Sequence, residues 1–140
     1  MILLVTNVIS ELIKPSHNPA VAAFFVRAVP ETVFTAAVCV AEIRYGLARL
    51  PTGRRRNDLA GRVTAFFAAA FSDRTLAFDS ASAAIYAELR AAREAAGRPI
   101  AVEDAMIAAT ARAYNAVVVT RNVADFTGCG VEVVNPWADD

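Results

Sequence analysis

Histidine is almost missing from this chain of 140 residues: His17 stands alone, in a loop between Ser16 and Asn18. A serine–histidine triad and a histidine-rich zinc site are excluded on that count. Cysteine is nearly as scarce. Cys39 and Cys129 lie far apart without CxxC spacing, and they read as reduced thiols of a cytoplasmic protein, not as a disulfide. The six glycines form no phosphate-cradling or dinucleotide-binding loop. Net charge is absent too, with 14 basic against 14 acidic residues, so any nucleic-acid binding has to be local. Lys14 is the only lysine and the other thirteen basic residues are arginines. Arginine suits bidentate phosphate contacts, although GC-rich coding produces the same bias. No apolar window reaches the roughly 18 residues that span a bilayer. The opening MILLVTNVISEL has neither the basic stretch nor the small-residue cleavage site of a signal peptide. A cytoplasmic chain without membrane association is the expectation.

What the chain does have is apolar side chains, 56% of the total against 20% charged. That is enough for one hydrophobic core in a single domain spanning residues 1–140. Ile2 to Val5 is a continuous apolar run ending in Thr6-Asn7, the pattern of a strand buried on both faces of a parallel sheet. Asn18-Pro19 opens a helix, with asparagine capping and proline in the first turn. Thr32 to Thr35 reads as a second strand leading into a helix from Ala37 to Leu50. A longer helix is predicted from about Asn57 to Phe71, with Leu59, Val63, Phe66, Phe67 and Ala70 inward. Thr75 to Phe78 is a third strand. Asp79-Ser80 caps an alanine-rich helix from Ala81 to Ala96, which Gly97 ends. Pro99-Ile100 introduce another helix through AVEDAMIAATARAY; Val117 to Thr120 and Val131 to Val134 are the last strands. Short apolar strands alternating with helices predict an α/β fold, a three-layer α/β/α sandwich around a central parallel sheet.

In open parallel sheets ligands bind beyond the carboxyl ends of the strands. Thr6-Asn7, Asp79 and Thr120-Arg121-Asn122 stand at such ends. Glu42 interrupts VCVAEIRYGL and Asp104 interrupts IAVEDAMIAATA, and a charge on an apolar stretch is costly unless paired or metal-bound. Plainer readings exist for each. Glu42 could pair with Arg44 or Arg49, and Glu103-Asp104 could be first-turn acids that the helix dipole favours. Asp79 with Ser80 behind it reads as a structural cap, Asp125 as a surface acid on a short turn. The run Arg54-Arg55-Arg56 is a solvated loop or a contact for phosphate or a partner. Set together, Glu42, Asp104 and Asp125 offer oxygen to a hard cation such as Mg²⁺ or Mn²⁺. Such an ion activates water and neutralises a phosphoryl centre, so phosphodiester hydrolysis is the natural use.

The segments carrying these acids resemble a known family. MILLVTNVISEL is similar to the opening MILLDTNVISE of PIN-domain ribonucleases, in particular the VapC toxins of type II toxin–antitoxin pairs and their FitB-like relatives. VAEIRYGLARL resembles the second motif, GRPIAVEDAMIAATA the third, and VVVTRNVADFTGCGVEVVNPW the fourth with the closing strand. The matches run in order over nearly the whole chain. The resemblance implies a Mg²⁺- or Mn²⁺-dependent endoribonuclease with Glu42, Asp104 and Asp125 as metal-site carboxylates. Asn122 is the alternative to Asp125; Thr6, Asn7, Thr120 and Asn122 would support the carboxylates and a water. It also implies a homodimer, RNA substrates such as tRNA, and a cognate antitoxin whose terminal segment lies in an apolar groove. Phe24, Phe25, Phe66, Phe67 and Phe71 are compatible with that groove and equally with core packing. Operator DNA would be bound only through the antitoxin.

One position departs from the pattern. Val5 stands where the family carries its first metal-binding aspartate. Valine keeps a buried strand well but offers a hard cation no oxygen, so the resemblance implies an intact fold with weak or no activity. Either the substitution inactivates a toxin, or the chain is a catalytically silent module that binds antitoxin or RNA.

Overall fold

The computed structural model describes residues 1–137. Five strands form one wholly parallel sheet: β1 (Ile2–Leu4), β2 (Val33–Ala36), β3 (Thr75–Leu76), β4 (Val117–Val119) and β5 (Val133–Val134), in the order β3-β2-β1-β4-β5. Leu3 lies opposite Phe34 on one side and Val118 on the other, which makes β1 the central strand. The strand order reverses beside it, and such a switch point opens a crevice at the carboxyl ends of the strands.

Alternation along the strands sends side chains to both faces. Leu3, Val5 and Val118 pack with Cys39, Leu89, Ala105 and Ala108 from helices α3 (Ala37–Ala48), α5 (Ser80–Ala95) and α6 (Val102–Tyr114). Leu4 and Val119 pack on the other face with Val8, Ile9, Val21 and Ala70 from α1 (Thr6–Ile13), α2 (Pro19–Arg27) and α4 (Arg54–Ala70). The expected three-layer sandwich is the observed one. The smallness of Ala105, Ala108 and Ala111, all fully buried, lets α6 lie close against the sheet.

Local signals explain most boundaries. The Asn18 side chain accepts from the backbone N–H of Ala20 at 2.8 Å, and Pro19 occupies the first turn of α2. Asp79 accepts from the N–H of Ser82 at 3.0 Å and caps α5, as expected. Asn115 closes α6 in the left-handed conformation at φ 57°, which asparagine tolerates.

Two segments differ from the sequence expectation. Thr6-Asn7 is the first turn of a helix, α1, that the strand pattern conceals; Val8, Ile9 and Leu12 bury its inner face. The Arg54-Arg55-Arg56 run is no loop. It forms the first turn of α4, which starts after Gly53 at φ 151° and ends at Ala70. Arginine is a good helix former, and the glycine supplies the bend that starts the helix there. No described helix is long and apolar enough to cross a membrane.

Candidate active site

The carboxyl ends of β1 and β4 open into a cavity of about 250 Å³ lined by Val5, Thr6, Asn7, Glu42, Asp104, Ile107, Thr120, Asn122, Asp125 and Phe126. Every residue singled out as a site candidate from the motifs lies on its wall. Asp79 does not. It caps α5 and accepts a 2.8 Å bond from the Tyr114 hydroxyl, which is the structural role anticipated for it.

Three elements carry the acids. Glu42 projects from α3 and accepts a 2.7 Å hydrogen bond from the Thr6 hydroxyl at the start of α1. No arginine pairs with it among the described residues. Asp104 sits in the first turn of α6, and Asp125 in the short 3-10 turn Val123–Phe126 after β4. Burial pushes the Asp104 carboxyl up to about 6, with the charges of Asp125, Glu42 and Glu103 adding to the rise and Arg93 opposing it. Three carboxylates thus repel one another across one cavity, with little cationic side-chain charge to offset them.

Polar side chains brace the rim. Asn7 spans α1 and β4: its amide nitrogen donates to the Thr120 hydroxyl at 3.2 Å and its oxygen accepts the N–H of Arg121 at 3.2 Å. Thr120, fully buried, also accepts the N–H of Asn122 at 3.1 Å. These bonds fix the turn that presents Asp125. Cys39 lies beneath Glu42, and burial followed by the Glu42 charge pushes its thiol up to about 11. It is inert packing, not a nucleophile.

Sequence reasoning missed Arg93. It is only 8% exposed, and its guanidinium donates to the carbonyl oxygens of Arg98 at 2.7 Å, Asp125 at 3.1 Å and Thr127 at 2.8 Å. It anchors the Asp125 segment to α5. An arginine amid the alanines of an exposed-looking helix carries no local mark of this, since the partners that tie it to the Asp125 segment lie 32 and 34 positions away.

The donor chemistry fits a hard cation: carboxylate oxygens, unneutralised, with hydroxyl and amide neighbours. As the side chains stand, no group of three or more Asp, Glu, His or Cys among the described residues is close enough to hold a metal ion. Val5, 3% exposed, fills one side of the cavity with methyl groups.

The PIN domain model matches residues 2–126 of the chain. This chain is a PIN domain protein. Among curated relatives, it is 42% identical to Toxin FitB of Neisseria gonorrhoeae, over 99% of this chain and all of the relative. It is 40% identical to VapC ribonuclease Y4jK of Sinorhizobium fredii, with 98% of each covered. Among solved structures it superimposes on a chain of FitAB bound to a DNA fragment with a TM-score of 0.90 at 42% identity, covering 98% of this chain and 96% of that one. The PIN fold therefore extends over nearly its full length. In this PIN domain protein the cavity falls where the four motif segments meet.

Proposed function

We propose that this PIN domain protein is the toxin of a type II toxin–antitoxin pair, a divalent-metal-dependent endoribonuclease weakened by Val5. One observation carries the reading: Glu42, Asp104 and Asp125 face a single cavity, where burial first and the neighbouring acids next raise the Asp104 carboxyl. The names of its relatives, Toxin FitB and VapC ribonuclease, support it.

Glu42, Asp104 and Asp125 would hold Mg²⁺ or Mn²⁺. When bound, the ion lowers the pKa of a water and offsets charge on the phosphoryl group. The protein's own contribution is orientation. Thr6 holds the Glu42 carboxylate, Asn7 and Thr120 hold the β4 turn, and Arg93 holds the Asp125 backbone. Asn122 stands beside Asp125 as a second oxygen donor at the rim.

Val5 is also the N-cap of α1, with no side-chain hydrogen bond to that helix. Valine is among the poorest N-caps and aspartate among the best. Helix chemistry and metal chemistry thus both favour an acid at position 5. This supports the reading of Val5 as a replacement in a once active site. The alternative, a silent module binding antitoxin or RNA, keeps the same surface without the reaction.

The partners follow. FitAB was solved as a complex on DNA, and this chain would pair with its own antitoxin, touching operator DNA only through it. The groove proposed for the antitoxin is the cavity of about 360 Å³ lined by Phe25, Val26, Ala28, Pro30, Val33 and Phe66 among others. Phe71 instead is buried in the core, and Phe24 and Phe67 pack against it. A homodimer and structured RNA substrates such as tRNA belong to the same proposal.

The deciding experiment is the Val5→Asp protein assayed on RNA with Mg²⁺ or Mn²⁺. Cleavage that chelation stops is the expected result; a revertant that neither cuts RNA nor slows growth removes the enzyme reading.

A further inference from the structure

A second cavity, of about 390 Å³, adjoins the acidic one and shares Thr6 and Glu42 with it. It runs between α1, α3 and α4. Its floor is aliphatic, made by Ile13, Ile43, Leu47, Leu50, Leu59 and Val63, and Arg55 stands at its α4 wall. Arg55 also borders the open hollow formed with Arg54, Asp58, Leu59 and Arg62.

The chemistry of this groove is graded along its length. At one end lies the wall formed by the Thr6–Glu42 hydrogen bond, beyond which the proposed phosphodiester reaction takes place. The middle is apolar and offers burial to a flat unsaturated ring. The far end carries guanidinium groups. Among the described residues Arg54, Arg55 and Arg62 make no ion pair, although Asp58 is beside them. Nor does the placement of Arg54 and Arg55 serve the helix, because cations in a first turn oppose the helix dipole. In a chain of zero net charge, this is a local concentration of positive charge continuous with the acidic cavity. Acid, apolar slot, then cation is the order in which a scissile phosphate, its neighbouring base and the next phosphate would meet the surface. The volume lies within the range of small-ligand pockets, roughly 300–1,000 Å³.

We propose that the groove between α1, α3 and α4 is a nucleotide subsite of single-stranded RNA, seating one base on its aliphatic floor and the flanking phosphate on Arg55. The subsite rests on the ribonuclease reading, whose RNA it would hold.

Two variants probe its two halves. Gly46 lines the groove, and a Cβ built on it meets nothing within 4 Å. Gly46→Leu therefore begins in open space on the groove wall, adds bulk to the slot and leaves the Arg55 charge in place. Arg55→Ala removes the charge and leaves the floor. The probe is a short labelled single-stranded RNA, titrated by fluorescence anisotropy in chelator so that binding is read without cleavage. An oligomer of the same sugar–phosphate backbone without bases serves as the control. Thermal unfolding checks that each variant is folded.

Gly46→Leu is expected to weaken the RNA about tenfold, through lost burial of the base on the aliphatic floor, and leave the base-free oligomer unchanged. Arg55→Ala is expected to weaken both and to lower the slope of log K against log salt by about 0.7. RNA binding that neither variant alters overturns the subsite. So does a Gly46→Leu protein that keeps RNA and loses a peptide of the antitoxin, for the groove is then a protein site. Repeating both variants in the Val5→Asp protein separates the two proposals. If that protein cuts RNA while the binding signature is absent, the subsite alone fails. If the signature holds and no RNA is cut, the ribonuclease reading fails and the subsite stands.

Discussion

The Arg93 guanidinium donates to the main-chain carbonyl of Asp125 across 3.1 Å, and so a helix on one side of the sheet sets the position of an acid at its carboxyl edge. The same nitrogen reaches the Thr127 carbonyl and the Cys129 sulfur. Three backbone oxygens, those of Arg98, Asp125 and Thr127, depend on one side chain that is almost wholly buried. Arg93→Met fills much of the volume but strands those carbonyls. A loss of about 2 kcal/mol is expected from the unmade bonds, read as a lower urea midpoint. A merely structural role would stop there. A positioning role adds a second effect: in the Val5→Asp background the Mg²⁺ concentration for half-maximal cleavage rises, because Asp125 is no longer held.

Thr6 and Glu42 make the shortest side-chain bond at the site, at 2.7 Å. Thr6→Val keeps shape and removes the donor. The stability cost should be about 1 kcal/mol, and Thr6→Ser should recover most of it. In the Val5→Asp background, Thr6→Val should again shift the Mg²⁺ requirement upward, since a carboxylate free to rotate loses its preset direction. Equal Mg²⁺ curves for the serine and valine variants would remove this role for the hydroxyl.

How far the sequence goes can be judged from these same residues. Glu42 and Asp104 were visible because a charge on an apolar helix face is expensive, and the cavity that collects them explains the expense. Asn18-Pro19 and Asp79-Ser80 were visible because a cap acts within three residues of itself. Arg93 was not, because its partners Asp125 and Thr127 lie on a distant segment and nothing in AAREAAG distinguishes a buried arginine from a solvated one. Helix α1 hid for a different reason. It begins at Thr6 directly after β1, with no breaker and with an apolar residue as N-cap, so the strand pattern runs into it. The spacing of Val8, Ile9 and Leu12 held the helical signal. The Arg54–Arg56 run shows the converse error, since a charge run was read as loop where Gly53 starts a helix.

Asp104 gives the protein a pH dependence with a definite sign. Its carboxyl is raised from 3.8 to about 6, by burial first and by the neighbouring acids next. The folded state therefore binds the proton more tightly than the unfolded chain. The Asp104 contribution to stability is full below about pH 4, is lost as pH rises through about 6, and is absent above. Half exposure and solvent screening hold the amplitude to about 1 kcal/mol. Urea midpoints measured from pH 4 to 8 should show this decline, against a background from the other carboxylates that Asp104→Asn leaves in place. Asp104→Asn should flatten the decline and raise stability at neutral pH. If Asp104→Asn changes neither, the repulsion is relieved by some other route.

Placing an acid at position 5 sets two effects against each other in the metal-free protein. Aspartate would cap α1, which contributes about 1 kcal/mol relative to a residue that cannot accept a hydrogen bond. It would also place a fourth carboxylate in a position now 3% exposed, facing Glu42, Asp104 and Asp125. Burying an unpaired charge costs several kcal/mol unless the group takes up a proton, so burial outweighs the cap. In chelator the Val5→Asp protein should therefore melt below the present chain, and most steeply above pH 6, where Asp104 is ionised as well. Mg²⁺ or Mn²⁺ reverses the order, because an ion that binds only the folded state stabilises it by RT ln(1 + [M]/Kd). The present chain, lacking that oxygen, should respond to the same additions far less. Melting curves of the two proteins with and without metal therefore read the site independently of catalysis. Equal metal responses would mean that position 5 is no part of a cation site.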